Sequence, residues 1–96
     1  MLCAAIDIGS NTTRVLVVEP VDGQLKKVME QRAYTRINKA IDDDGAILPE
    51  KIEEVAEVVA TQVRLARETG AETIRAVATA AVREATNSER AAKAIA

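Results

Sequence analysis

Residues able to do chemistry collect at two places in this chain. The first is Asp7-Ile8-Gly9-Ser10-Asn11-Thr12-Thr13-Arg14, set between apolar runs around Ile6 and Val15. Asp7 closes the first run, where a carboxylate can face solvent beside the loop. Gly9 can take a positive φ and has no side chain to obstruct a ligand. Ser10, Asn11, Thr12 and Thr13 add hydroxyls, an amide and successive backbone N–H groups within one bend. That donor set suits an oxyanion, with phosphate the first to consider. The second place is Ala78-Thr79-Ala80-Ala81-Val82-Arg83-Glu84-Ala85-Thr86-Asn87. Here small residues lead into a helix whose Arg83 could offer a planar fork of N–H donors to phosphate oxygens. Both places have an ordinary alternative. Gly-Ser-Asn-Thr is common turn chemistry, and Arg83 could be a surface arginine paired with Glu84 or Glu89.

The elements that must position these residues follow from periodicity. Residues 2–8 read as a strand buried on both faces, because the apolar run continues without alternating. Residues 13–19 read as a second strand, rich in Val and Leu. Asp22-Gly23 is a strong two-residue hairpin signal. Residues 24–35, mixing charged and apolar side chains, read as a third strand at an exposed sheet edge. Residues 36–48 form an irregular connection. Its Asp42-Asp43-Asp44-Gly45 lacks the ligand spacing and closing glutamate of a calcium loop, and reads as a solvated turn.

Pro49 and Glu50 open a helix over 50–69, although Leu48 offers no acceptor as its N-cap. Ile52, Val55, Ala56, Val59, Val63 and Ala66 fall on one face of that helix, and Gly70 supplies a left-handed stop. The helix reads as a cover for the sheet, with no chemistry of its own. Residues 73–79 read as a fourth strand, parallel to its neighbour after so long a crossover. The chain from Ala80 reads as helical, with a break near Thr86-Asn87-Ser88. The expected sheet order is third, second, first, fourth. The carboxyl ends of the first and fourth strands then share one edge, where open α/β sheets bind ligands, and both chemical stretches meet there.

Composition narrows the class. Ninety-six residues suffice for one small domain, with a core of aliphatic side chains, since Tyr34 is the one aromatic residue. A net charge of −2 with interspersed signs gives no footprint for a nucleic acid polymer. One cysteine, Cys3, and no histidine exclude an intrachain disulfide and a Cys/His metal site, leaving oxygen ligands such as Mg²⁺ prefers. Cys3 reads as a small buried hydrophobe. No apolar stretch nears the ~20 residues of a membrane span, nor does the start resemble a signal peptide. The expected location is cytoplasmic.

A family resemblance emerges from these residues. The stretch Ala5-Ile6-Asp7-Ile8-Gly9-Ser10-Asn11-Thr12-Thr13-Arg14-Val15-Leu16-Val17 resembles the first phosphate-binding motif of the exopolyphosphatase / guanosine pentaphosphate phosphohydrolase family. Residues 78–87 resemble that family's second local signature, and Leu48-Pro49-Glu50 with the long helix also looks like it. The resemblance covers nearly the whole chain. The first motif alone is compatible with the broader sugar kinase, Hsp70 and actin superfamily.

The resemblance implies an α/β, ribonuclease H-like partial fold, with residues 1–96 forming the N-terminal portion of the first of two actin-like domains. It implies hydrolysis of terminal phosphate from inorganic polyphosphate or guanosine pentaphosphate, with Mg²⁺. Carried over by position, Asp7 would hold Mg²⁺ through water or orient the attacking water. Gly9, Ser10, Asn11, Thr12 and Thr13 would hold a phosphate, and Arg83 would bind the phosphate being cleaved. The family's catalytic glutamate and second glycine-rich loop match no residue here, so this chain is expected to be inactive alone and to self-associate, as a homodimer for example. One departure stands out. The family's Thr-Arg-Leu-Gly after the third strand is here Thr35-Arg36-Ile37-Asn38, lacking the glycine that a close turn would use. The competing readings are a non-catalytic phosphate- or nucleotide-binding module and part of an actin-like or sugar-kinase-type ATPase.

Overall fold

In the computed structural model, which describes residues 1–78, the chain opens as an antiparallel meander. Its strands are β1 (Leu2–Ile8), β2 (Thr13–Val21) and β3 (Gln24–Ala33). β1 and β2 pair from Cys3↔Val18 to Ile8↔Thr13, which leaves Gly9, Ser10, Asn11 and Thr12 as their connection. Asp22 (φ 51°) and Gly23 (φ 79°) are both left-handed. Two positive φ angles in a row match the turn twist to the strand twist, as the Asp-Gly pair predicts. β2 therefore runs past the expected end at Glu19, with Pro20 opposite Leu25 and Val21 opposite Gln24. β3 stops at Ala33, two residues early, because Thr35 and Ile37 turn into the core instead of continuing along the edge.

After a one-turn 3-10 segment (Ile37–Lys39), an Ile41↔Ile47 bridge closes the acidic loop. There the Asp42 carboxylate accepts hydrogen bonds from the N–H groups of Asp44 and Ala46, the solvated turn expected from the sequence. Helix α1 (Pro49–Thr69) follows, with no side-chain cap from Leu48. Gly70 ends it at φ 109°, its N–H donating to the carbonyls of Ala66 and Arg67. β4 (Ala71–Ala78) starts at once and runs parallel to β1, giving the order β3-β2-β1-β4. The helix expected from Ala80 lies outside the described residues. No described helix is long and apolar enough to cross a membrane.

The core lies between α1 and one face of the sheet. Ala4, Ile6 and Ile8 of β1 and Val15 and Val17 of β2 meet Ile52, Val55, Val59 and Ala66 of α1, with Ile37 and Ile47 closing one end. The reading of β1 as buried on both faces does not hold. Ala4, Ile6 and Ile8 are buried, whereas Ala5 and Asp7 are exposed and Cys3 is only half-buried. Among the described residues one face alone carries a helix, so Cys3, Ala5 and Asp7 face away from the core. The uninterrupted apolar run concealed that alternation.

Candidate functional site: the β1–β2 loop and its supports

The loop begins where the last strand pair ends. The Gly9 N–H donates to the Thr12 carbonyl at 2.9 Å, closing the hairpin just beyond Ile8↔Thr13. Gly9 does not use the positive φ anticipated for it. Its reason for being glycine is proximity: a Cβ there would stand 2.6 Å from the Thr12 carbonyl oxygen. The bend can be this tight only without a side chain.

A second segment locks the loop from outside. The Arg36 N–H donates to the Asn11 carbonyl at 3.0 Å, and the Asn38 N–H donates to the Ser10 carbonyl at 2.9 Å. The close turn therefore forms despite the missing glycine, with Arg36 itself in the left-handed region (φ 50°, ψ 48°). Buried Thr35 and Ile37 on either side hold it there. Two carbonyls of the loop are occupied by this turn, which fixes the bend before any ligand arrives.

Of the predicted loop residues, Thr13 turns inward. It is fully buried and its hydroxyl shares a 2.9 Å hydrogen bond with that of Thr35. Its carbonyl accepts from Gln62 Nε2 of α1 at 3.0 Å, and the same nitrogen reaches Gln31 Oε1 at 2.9 Å. Gln62 Oε1 is buried without a partner among the described residues. The helix is thus more than a cover. Sequence reasoning passed over Gln62, although its place three residues after Val59 and four before Ala66 puts a polar side chain on the apolar face.

Asp7 lies on the opposite, open face of the sheet. Strand register sets Asp7 beside Arg14 and Arg14 beside Arg32, and these three with Thr12 line a cleft of about 260 Å³. Arg14 and Arg32 converge on Glu30 at 3.4 and 3.3 Å, joined by Lys27 at 3.4 Å. Partial desolvation raises the Glu30 pKa, but hydrogen bonds and charges from Arg32 and Lys27 outweigh it and hold the carboxyl below its ordinary value. Three cations thus share one carboxylate there, a feature that sequence spacing gave no sign of.

Asp7 itself forms no ion pair among the described residues. Nor do they contain a group of three or more Asp, Glu, His or Cys able to hold a metal. Mg²⁺ needs no such group, because it is commonly held by one or two carboxylates, water and substrate phosphate. An exposed Asp7 beside that loop, with no ion pair among the described residues, fits that mode. Arg83 lies outside the described residues.

Residues 16–96 match the Ppx/GppA phosphatase family. The chain belongs to that family. Among curated relatives, it is 33% identical over 86 residues to a guanosine-5'-triphosphate,3'-diphosphate pyrophosphatase of Vibrio vulnificus, covering 90% of this chain and 17% of the relative. It is 32% identical over 90 residues to exopolyphosphatase 1 of Mycobacterium leprae, covering 93% of this chain and 26% of that protein. The crystal structure of the Aquifex aeolicus Ppx/GppA phosphatase superposes with a TM-score of 0.90 at 32% identity, over 99% of this chain and 32% of that one. An exopolyphosphatase from Cytophaga hutchinsonii shares the fold (TM-score 0.90) at 20% identity, over 99% of this chain and 30% of its own. The mixed 3-2-1-4 sheet with its helix is thus the actin-like arrangement of Ppx/GppA structures. The chain spans about a sixth to a third of these proteins.

Proposed function

We propose that this chain supplies the phosphate-binding loop of a Ppx/GppA phosphatase that removes terminal phosphate from inorganic polyphosphate or guanosine pentaphosphate. The observation that carries the reading is the locked bend from Gly9 to Thr12, closed on itself and clamped through the carbonyls of Ser10 and Asn11. With these carbonyls tied back, the side chains of Ser10 and Asn11 and the free N–H groups of the bend remain for an anion. Donors fixed in advance stabilise charge on a transferring phosphoryl group without reorganising, a large share of phosphoryl-transfer catalysis. Asp7 would hold Mg²⁺ through water or orient the attacking water. Bound there, the ion would neutralise phosphate charge and orient oxygens.

Arg83 completes the proposed set. Ala78 pairs with Ile8 at the loop's base, and five further residues span at most about 18 Å of chain. A chain of that length permits Arg83 to reach the bend. Hydrolysis by this chain alone should be weak or absent, because none of its residues matches the family's catalytic glutamate.

Polyphosphate titration by calorimetry, on Arg83→Ala, Arg64→Ala and Arg67→Ala, tests the assignment. Arg64 and Arg67 are exposed on α1. The expected result is a loss at Arg83 of roughly tenfold, against under twofold at the other two. Equal losses at all three would mean diffuse charge attraction and no site. Phosphate release that tracks the purified chain would place a catalytic base within it and overturn the expectation of inactivity.

A further inference from the structure

We infer that the groove between β3 and α1 is a docking surface for a short extended peptide carrying lysine or arginine, which adds to the free edge of β3 and sets a cationic side chain against Glu57. This does not depend on the reading of the Gly9–Thr12 bend as a phosphate site. β3 is the outermost strand on its side of the sheet, and no further strand pairs with it among the described residues. Beside its last residues lies a groove of about 240 Å³, with Gln31 and Ala33 of β3 along one side and Glu54, Glu57, Val58 and Thr61 of α1 along the other. An unpaired strand edge can take an added strand, whose main-chain hydrogen bonds supply affinity while alternate side chains enter the neighbouring groove. Gln31, Ala33, Val58 and Thr61 are half-buried and form the floor, whereas Glu54 and Glu57 are exposed at the rim. The floor is fixed, since Gln31 Oε1 accepts a 2.9 Å hydrogen bond from fully buried Gln62. A lysine or arginine suits both levels, because its aliphatic stem covers apolar surface while its charged head stays in water at the rim.

Charge selects the occupant. No basic residue lines the groove. Over residues 50–61, α1 carries Glu50, Glu53, Glu54 and Glu57 against Lys51 alone. Lys51 is engaged by Glu54 at 2.7 Å, and Arg32 by Glu30, while Glu57 forms no ion pair among the described residues. A second copy paired antiparallel across this edge would bring its own Glu54 and Glu57 to face these, and like charges across an interface oppose association. The edge also sets a length limit. Val28 is an extra residue between the pairs Val17↔Met29 and Val18↔Lys27, so a regular added strand is confined to residues 29–33. Beyond that irregularity Lys26 and Lys27 repel a cationic segment.

The test adds two acetylated peptides to the whole 96-residue chain, one alternating threonine with lysine and the other with glutamate in place of lysine, followed by amide exchange and calorimetry. The lysine peptide should bind and slow the exchange of amides within residues 29–33, and the glutamate peptide should do neither. Glu57→Gln should weaken the lysine peptide roughly two- to fivefold, and Glu57→Lys further, with the melting temperature unchanged. Glu68→Gln, near the far end of α1, should leave its affinity as in the parent. Equal binding of the two peptides, equal binding by the parent and Glu57→Lys, or binding that leaves the 29–33 amides unprotected would overturn the assignment. So would protection of those amides in the peptide-free chain only at concentrations where light scattering detects an oligomer, because a second copy would then occupy the edge.

Discussion

At the residue scale, the site depends on two backbone positions with opposite logic. Gly9 is glycine because the Thr12 carbonyl leaves no room for a Cβ, at 2.6 Å. Arg36 carries a side chain where the backbone would favour none. Gly9→Ala must push the Thr12 carbonyl aside, and backbone yields less readily than a side chain. The expected cost is about 1–3 kcal/mol of stability, read from urea unfolding, as for other overpacked sites. The Gly9-to-Thr12 hydrogen bond should open with it, seen as faster exchange of the Gly9 amide. A fully stable variant with that amide still protected would mean that the bend tolerates a Cβ. The motif Asp-Ile-Gly-Ser-Asn-Thr-Thr-Arg was legible in the sequence, but the reason for its glycine was not. A positive φ is the common explanation for a loop glycine, and only coordinates reveal a carbonyl facing it.

At the element scale, α1 and β3 support the loop from beneath. Periodicity identified the helix and most of its buried face, because the apolar spacing and the Pro49 and Gly70 boundaries agree with one another. It missed Gln62, whose amide donates to the Thr13 carbonyl and to Gln31 Oε1 while its own oxygen stays unpaired. The partners lie 49 and 31 positions away in sequence, a distance over which no local pattern carries information. Gln62→Leu loses the bond to Thr13 but also removes the orphaned oxygen, so the two effects oppose. A net loss of about 1 kcal/mol is expected. Gln62→Glu sets a carboxyl oxygen against two acceptors in a buried place and should cost several kcal/mol. Denaturant unfolding of both variants would show the order. If Gln62→Glu matched the parent, the network would be solvated, and its part in holding the loop would fall.

At the scale of the whole molecule, the described sheet exposes apolar side chains at both of its outer strands. Leu25 is 71% exposed and Val28 44% on β3, and Val77 is 61% exposed on β4. The open face adds half-buried Leu16, Val18 and Cys3. Exposed strand edges beside apolar surface favour pairing with another chain. Light scattering of the 96-residue chain should therefore give a mass above the monomer that rises with concentration. A monodisperse, heat-resistant monomer would count against this. Sequence alone determined the elements, the 3-2-1-4 order and the candidate anion loop, because each rests on local signals: apolar spacing, Asp22-Gly23, Pro49, Gly70 and a crossover long enough for parallel pairing. Only the tertiary structure decided which face of β1 is buried, why Gly9 has no side chain, that Thr13 turns inward, and that Arg36 clamps the loop. Those outcomes depend on groups distant in sequence meeting at hydrogen-bond distance, and the fold creates that proximity.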